Sequence, residues 1–293
     1  MVSSFVLWPC IAGSAFLIAG PVSVRKELAD APGLDKLIAL GPVFVAAPLA
    51  VFAAEHLVGA RFIVQVIPPW IPAPLLFTYF VGVALLAAAL SLTFKKYVRL
   101  SAPLLALMFF LFVLLIHIPG VVAHINSRLF WTIMLRDLTF AAGALALTAT
   151  SRQQESTQSS AALTSIARII IAVALVFFGV EHWMHPQFAP GVPLAKLTPA
   201  WVPLPFVLAY LIGAVLLIAG LALLLKMRSR IAATSVGLVM TLLTLFLYLP
   251  ILAMASGTAQ LNEGLNYVAD TLLFGGAILL LAAAMPGDNQ PAN

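Results

Sequence analysis

Trp70-Ile71-Pro72-Ala73-Pro74 returns 131 positions later as Trp201-Val202-Pro203-Leu204-Pro205, in each case between two long apolar runs. Outward from that pair the correspondence continues at the same offset. Tyr79 and Gly82 match Tyr210 and Gly213, Lys95 and Arg99 match Lys226 and Arg230, and Pro119 matches Pro250. Upstream, Glu55-His56 recurs as Glu181-His182. Downstream, Asp137 with Gly143 six residues later recurs as Asp270 with Gly276. So many matches in one order, at nearly one offset, mark an internal duplication.

What is duplicated is membrane helix. Of the 293 residues 63% are hydrophobic and 9% charged, with a mean hydropathy of +1.11. Soluble domains carry roughly 25% charged residues; a chain this poor in polar side chains cannot cover a water-facing surface, so lipid is the expected solvent. Spanning about 30 Å of hydrocarbon at a 1.5 Å rise takes near twenty residues. Nine such runs are legible: Ser4–Val24, Leu37–Val58, Leu75–Phe94, Leu100–Ile118, Leu129–Thr150, Leu163–Met184, Trp201–Leu225, Ile231–Leu252 and Leu265–Met285. The sequence therefore predicts an all-α polytopic membrane protein with two parallel four-helix repeats and one N-terminal transmembrane helix.

The expected divisions are 1–36 (first helix and loop), 37–150 (first repeat), a polar linker at 151–162, 163–285 (second repeat) and a tail at 286–293. The linker contains Ser151–Ser160, SRQQESTQSS, which has too little apolar content to pack. An even helix count makes both repeats enter from the same side, related by a pseudo-two-fold axis along the membrane normal. The first run lacks a basic n-region and is followed by Arg25 and Lys26, the reverse of a cleavable signal, so a retained helix is expected.

Charge sets the orientation. Arg25, Lys26, Lys36, Lys95, Lys96, Arg99, Arg152, Arg168, Lys226, Arg228 and Arg230 fall on one side, and Arg61, Arg128, Arg136 and Lys196 on the other. The positive-inside rule places the N-terminus outside and the C-terminus in the cytoplasm. The net charge of +5 is spread over these loop clusters with no continuous basic face, which argues against a nucleic-acid partner. Cys10, the single cysteine, cannot form an intrachain disulfide or a cysteine-rich metal site, so redox chemistry would need a bound cofactor or a partner protein.

All five histidines, together with Glu55, Glu181, Glu263, Asp137 and Asp270, fall on the outer side of this topology. Ionisable groups at membrane depth are costly and point to function. Asp137 lies fourteen residues before Ser151, roughly 21 Å from the inner boundary. Similar counting puts Asp270 and Glu181 at about the same height. Glu55, Asp137, Glu181 and Asp270 are thus candidates for proton handling. The matched histidines His56 and His182 are candidates for ligating a haem or polarising a quinone carbonyl. His117 and its mate Tyr248 suit a pair of hydrogen-bond donors. Glu181 and His185, at i and i+4, can converge on a metal or a proton relay, although Gly59 stands where the first repeat would need the histidine.

Structural readings stand beside these. The aspartates and glutamates can anchor helices through buried hydrogen bonds, and His124 reads as a loop residue. Trp70 and Trp201 suit the headgroup level, with the prolines starting the next helix. The tyrosine–glycine pairs suit close helix packing.

A four-helix unit with Glu-His closing its first helix, a Pro-x-Pro entry and an aspartate in its fourth resembles the DoxX/DoxD-like membrane protein superfamily, here in tandem over about 37–285. The resemblance implies a bacterial inner (plasma) membrane protein. It also implies association with membrane oxidoreductases, since members include a thiosulfate:quinone oxidoreductase subunit. The leading expectation is a subunit that binds a quinone or other lipophilic ligand near the outer face, alongside a redox partner. A transporter with carboxylates lining an inter-repeat cavity and a non-catalytic assembly subunit are the alternatives.

Overall fold

In hydrocarbon an unpartnered backbone N–H or C=O costs several kcal/mol, so a chain of this composition closes its hydrogen bonds within each segment. The computed structural model describes residues 4–152, 157–192 and 195–287. Its described residues form helices and turns, with one isolated antiparallel bridge between Phe188 and Leu197. Nine helices among them are long and apolar enough to cross a bilayer: α1 (Ser4–Ser23), α2 (Asp35–Val58), α3 (Pro74–Phe94), α4 (Val98–Ala123), α5 (Arg128–Arg152), α6 (Gln158–Met184), α7 (Pro205–Leu224), α8 (Ser229–Ala253) and α9 (Thr258–Ala284). The protein is an all-α, multi-pass integral membrane protein.

Several boundaries differ from the sequence reading. Trp201 lies in the turn before α7, which starts at Pro205, and α9 starts at Thr258 rather than Leu265. The expected linker is largely taken up by helix: α5 runs through Arg152 and helix resumes at Thr157, while residues 153–156 lie outside the described residues. Most of the expected tail, 288–293, also lies outside them. Polar side chains at helix ends reach water beyond the bilayer, so a low apolar content ended the apolar run without ending the helix.

The backbone repeats its irregularities at the sequence offset. Ala73 and Leu204, each between prolines, adopt left-handed conformations at φ 47°, and Pro74 and Pro205 open the following helices. Lys95 and Tyr97 are left-handed after α3, as Lys226 and Arg228 are after α7. Within α4 the turn Val113–His117 widens to a π-helix, and within α8 Thr244–Tyr248 does the same. Pro119 and Pro250 follow closely; a proline lacks the N–H for the regular bond and its ring crowds the preceding turn, so widening there relieves the clash. Each helix consequently runs past its proline instead of stopping near it.

Packing follows the same two-fold logic. The last helix of each unit, α5 or α9, packs on the first helix of the other, and α5 and α9 pack on each other at the centre. In the most apolar window of α9 89% of residues are buried, against 22% for α1, which lies at the periphery against α2. Small residues permit the central approach: a Cβ on Gly143 would collide with Ala277 of α9, and one on Gly276 would meet the Phe44 backbone of α2 at 2.8 Å. Cys10 of α1 packs against the small apolar cluster of Val51, Leu265 and Ala269.

Candidate functional site

The end of the bundle that carries Trp70 and Trp201 holds a buried charged set at the seam between the units. Arg136, on α5, donates from Nε to Asp137 Oδ1 (3.1 Å) and from Nη1 across the seam to Asp270 Oδ2 on α9 (2.7 Å). His117, on the π turn of α4, places Nε2 2.8 Å from Asp137 Oδ2. One turn along α9 from Asp270, Asn266 donates to Glu55 Oε1 at 2.9 Å. Glu55, Asp137 and Asp270 are all buried. Three of the four carboxylates singled out in the sequence therefore gather at one seam, held by an arginine counted in the sequence only for orientation and by an asparagine given no role there.

The charges do not balance. With every carboxyl ionised and His117 neutral, one guanidinium faces three carboxylates, an excess of two negative charges. Among the described residues no cationic side chain pairs with Glu55. Uncompensated charge away from water is strongly unfavourable, so this excess of carboxyl groups over fixed cations is what sets the seam apart.

Glu181 belongs elsewhere. It pairs with Arg128 at 3.3 Å, and Arg128 also lies over the Phe188 ring, 4.1 Å from its centroid. Arg128 and Arg136 are eight residues apart on α5, about 12 Å along the axis. Glu181 therefore stands nearer the tryptophan end than Asp270, not level with it. Arg168, counted by charge among the groups of the opposite side, sits inside α6, buried, donating to the carbonyl of Leu223. Reaching to Arg128, Glu181 leaves His185 packed edge-on against Phe188. Among the described residues no three or more His, Cys, Asp or Glu side chains come together as a metal site would need.

The matched histidines share one contact and differ in the next. His56 Nδ1 meets the carbonyl of Phe52 at 2.7 Å, and His182 Nδ1 meets that of Phe178 one turn back. His182 Nε2 then accepts the backbone N–H of Gly191 at 2.8 Å. Both nitrogens are engaged, which fixes the neutral Nδ1–H tautomer and leaves none for haem iron. Tyr248 OH donates to the carbonyl of the adjacent Pro190 at 2.6 Å, so His182 and Tyr248 grip one loop rather than a cofactor. His124 closes the end of α4's helix and stacks on Phe130.

A separate groove of about 910 Å³ lies between α3 and α4 toward the lysine-rich end, lined by Phe94, Leu104, Met108 and Leu111 among others. Its wall is nearly all apolar and includes none of the seam residues. At that end Lys95 pairs with Glu27 (2.5 Å), and Arg230 at the start of α8 pairs with Asp35 at the start of α2 (3.0 Å). The hydrogen bond from Lys95 holds the Glu27 carboxyl below the ordinary carboxylate range.

The four-carboxyl expectation thus resolves into a seam set of Glu55, Asp137 and Asp270 and a pair of Glu181 with Arg128, with Glu181 also buried but nearer the tryptophan end. Comparison of the chain with protein-family models, curated proteins and solved structures gives no match.

Proposed function

We propose that this chain is a proton-handling membrane subunit whose working site is the seam set of Glu55, Asp137, Asp270, Arg136 and His117, serving a lipophilic carrier of the quinone class. The observation that carries the reading is the charge excess of that set. A buried cluster held neutral by protons, rather than by fixed cations, can release and recover them one at a time. Oxidation of a quinol yields two electrons and two protons; here Glu55 and the His117–Asp137 pair each pass a held proton to the outer phase and take a quinol proton in its place, and the electrons pass to a redox centre on a partner protein.

The positive-inside count supports an outer-leaflet position for this seam with the N-terminus outside, and the DoxX-like resemblance supports a bacterial inner membrane. Protons released there reach the outer aqueous phase by a short path. The apolar, closely packed lower seam at Gly143 and Gly276 speaks against a permeation path running through to the other side. The Arg136–Asp270 bridge gives a second reading, in which the set is a structural strap and the protein an assembly subunit.

Purification in mild detergent, followed by mass spectrometry of the organic extract, separates the two. A quinone or related carrier retained in near-stoichiometric amount supports the proton-handling reading. An extract with membrane phospholipid alone, from protein that remains folded, favours the strap.

A further inference from the structure

The two units differ at their tryptophan end by five residues of loop. His56 to Trp70 spans fourteen positions, and His182 to Trp201 spans nineteen. In the second unit the extra length forms a plug. Ala189 donates to the carbonyl of Lys196 (2.8 Å) and Thr198 to that of Gln187 (3.0 Å), pinching the loop so that residues 189–192 are buried. The plug presents two polar groups to the helices. The N–H of Gly191 is taken by His182 Nε2, and the carbonyl of Pro190 by Tyr248 OH. Gly191 sits at φ +119°, a conformation that turns the chain inward and that other residues rarely adopt.

The first unit keeps the receiving histidine and lacks the plug. His56 holds the same Nδ1 contact as His182, and His117 stands on the same π turn as Tyr248. Its connecting segment, residues 61–73, contributes no buried residue. Among the described residues nothing pairs with His56 Nε2, which the Nδ1 contact leaves as an acceptor.

We infer that the outer mouth of the first unit, between His56 and His117, is a socket for a hydroxyl-bearing lipophilic head group of the hydroquinone class, which takes the place the Pro190–Gly191 backbone fills in the second unit. A hydroxyl supplies to His56 Nε2 the donor that the N–H of Gly191 supplies to His182, beside a His117 whose Nε2 is already engaged by Asp137. The apolar tail follows the ring into lipid, as the flanking exposed Phe62, Phe80 and Trp70 permit. The choice of hydroquinone rests on the proton-handling reading; the socket rests on the comparison of the two units.

The test uses the full-length protein in detergent, a decyl-chain benzoquinol as probe and tryptophan fluorescence as readout. The same quinol with both hydroxyls methylated serves as the control ligand. The quinol is expected to bind at least tenfold more tightly than its dimethyl ether. His56→Phe should abolish that difference, His56→Gln, which retains an acceptor, should restore part of it, and His182→Phe should leave it intact. A melting curve on each variant confirms folding. Equal affinity for quinol and ether, no binding of either, or equal sensitivity to His56 and His182 would overturn the socket. None of these outcomes bears on whether the seam set holds protons, which a carboxyl signal reads separately.

Discussion

The two four-helix units are built on one plan and finished in opposite ways. In the second, Glu181 has an arginine, His182 has a backbone N–H and Tyr248 has a carbonyl, so each polar group is closed by the protein itself. In the first, Glu55 has an amide, His56 has one open nitrogen and His117 leans on an aspartate of the seam. A duplicated scaffold lets one copy be sealed for stability while the other retains unsatisfied groups. Function is expected where the pattern is left incomplete.

Removing the arginine that spans both units should cost most. Arg136→Leu strands Asp137 and Asp270 in the seam and should destabilise the protein by about 3–5 kcal/mol, read as a loss of the folded fraction in a detergent melt. Arg136→Lys should recover only part of this, because a single ammonium cannot reproduce the forked contact. Equal stability of Arg136→Leu and Arg128→Leu would erase the distinction between the seam and the Glu181–Arg128 pair.

Next come the glutamates. Glu181→Gln leaves Arg128 without its carboxylate and should cost about 1.5–3 kcal/mol, the range for a hydrogen bond to a charged group. Glu55→Gln keeps an acceptor for Asn266 and removes an uncompensated acid, so it should cost less than Glu181→Gln. The plug should show an intermediate effect: Tyr248→Phe strands the carbonyl of Pro190 and should cost about 1–2 kcal/mol.

The smallest effect lies at the opposite end. Because Lys95 lowers the Glu27 pKa, that contact is present above the carboxyl's unfolded value and is lost as the pH falls through the folded one. The melting difference between Lys95→Ala and the parent should therefore vanish in acid, and it should shrink in high salt. Lys226→Ala, at the matching turn of the second unit, should show neither dependence.

Much of the fold was legible because lipid imposes simple rules. Run length identified nine spans, and the Trp-x-Pro, Lys and Pro matches located turns whose backbone angles indeed recur. The site was legible in part. Burial of Glu55, Asp137 and Asp270 follows from their depth, but Arg136 was counted as a topological charge although it lies eight residues inside α5 beside an aspartate. A cation at that depth, matched by Ala269 in the second unit, was the missed signal. Arg168 was likewise counted as a topological charge, although it is buried inside a helix and bonded to a carbonyl. The plug was invisible to motif reading because it acts through backbone groups, and residue type says little about where a Pro-Gly pair will point them. Its trace in the sequence was the change of offset between the Glu-His and Trp-x-Pro matches.

The seam is most directly tested by infrared spectroscopy of the protein in lipid nanodiscs, comparing the parent with Glu55→Gln and Glu181→Gln. A protonated-carboxyl C=O band near neutral pH that shifts on deuteration, disappears in Glu55→Gln and persists in Glu181→Gln is the expected result. A spectrum without such a band in the parent, or one unchanged by Glu55→Gln, would contradict a seam that holds its charge balance with protons.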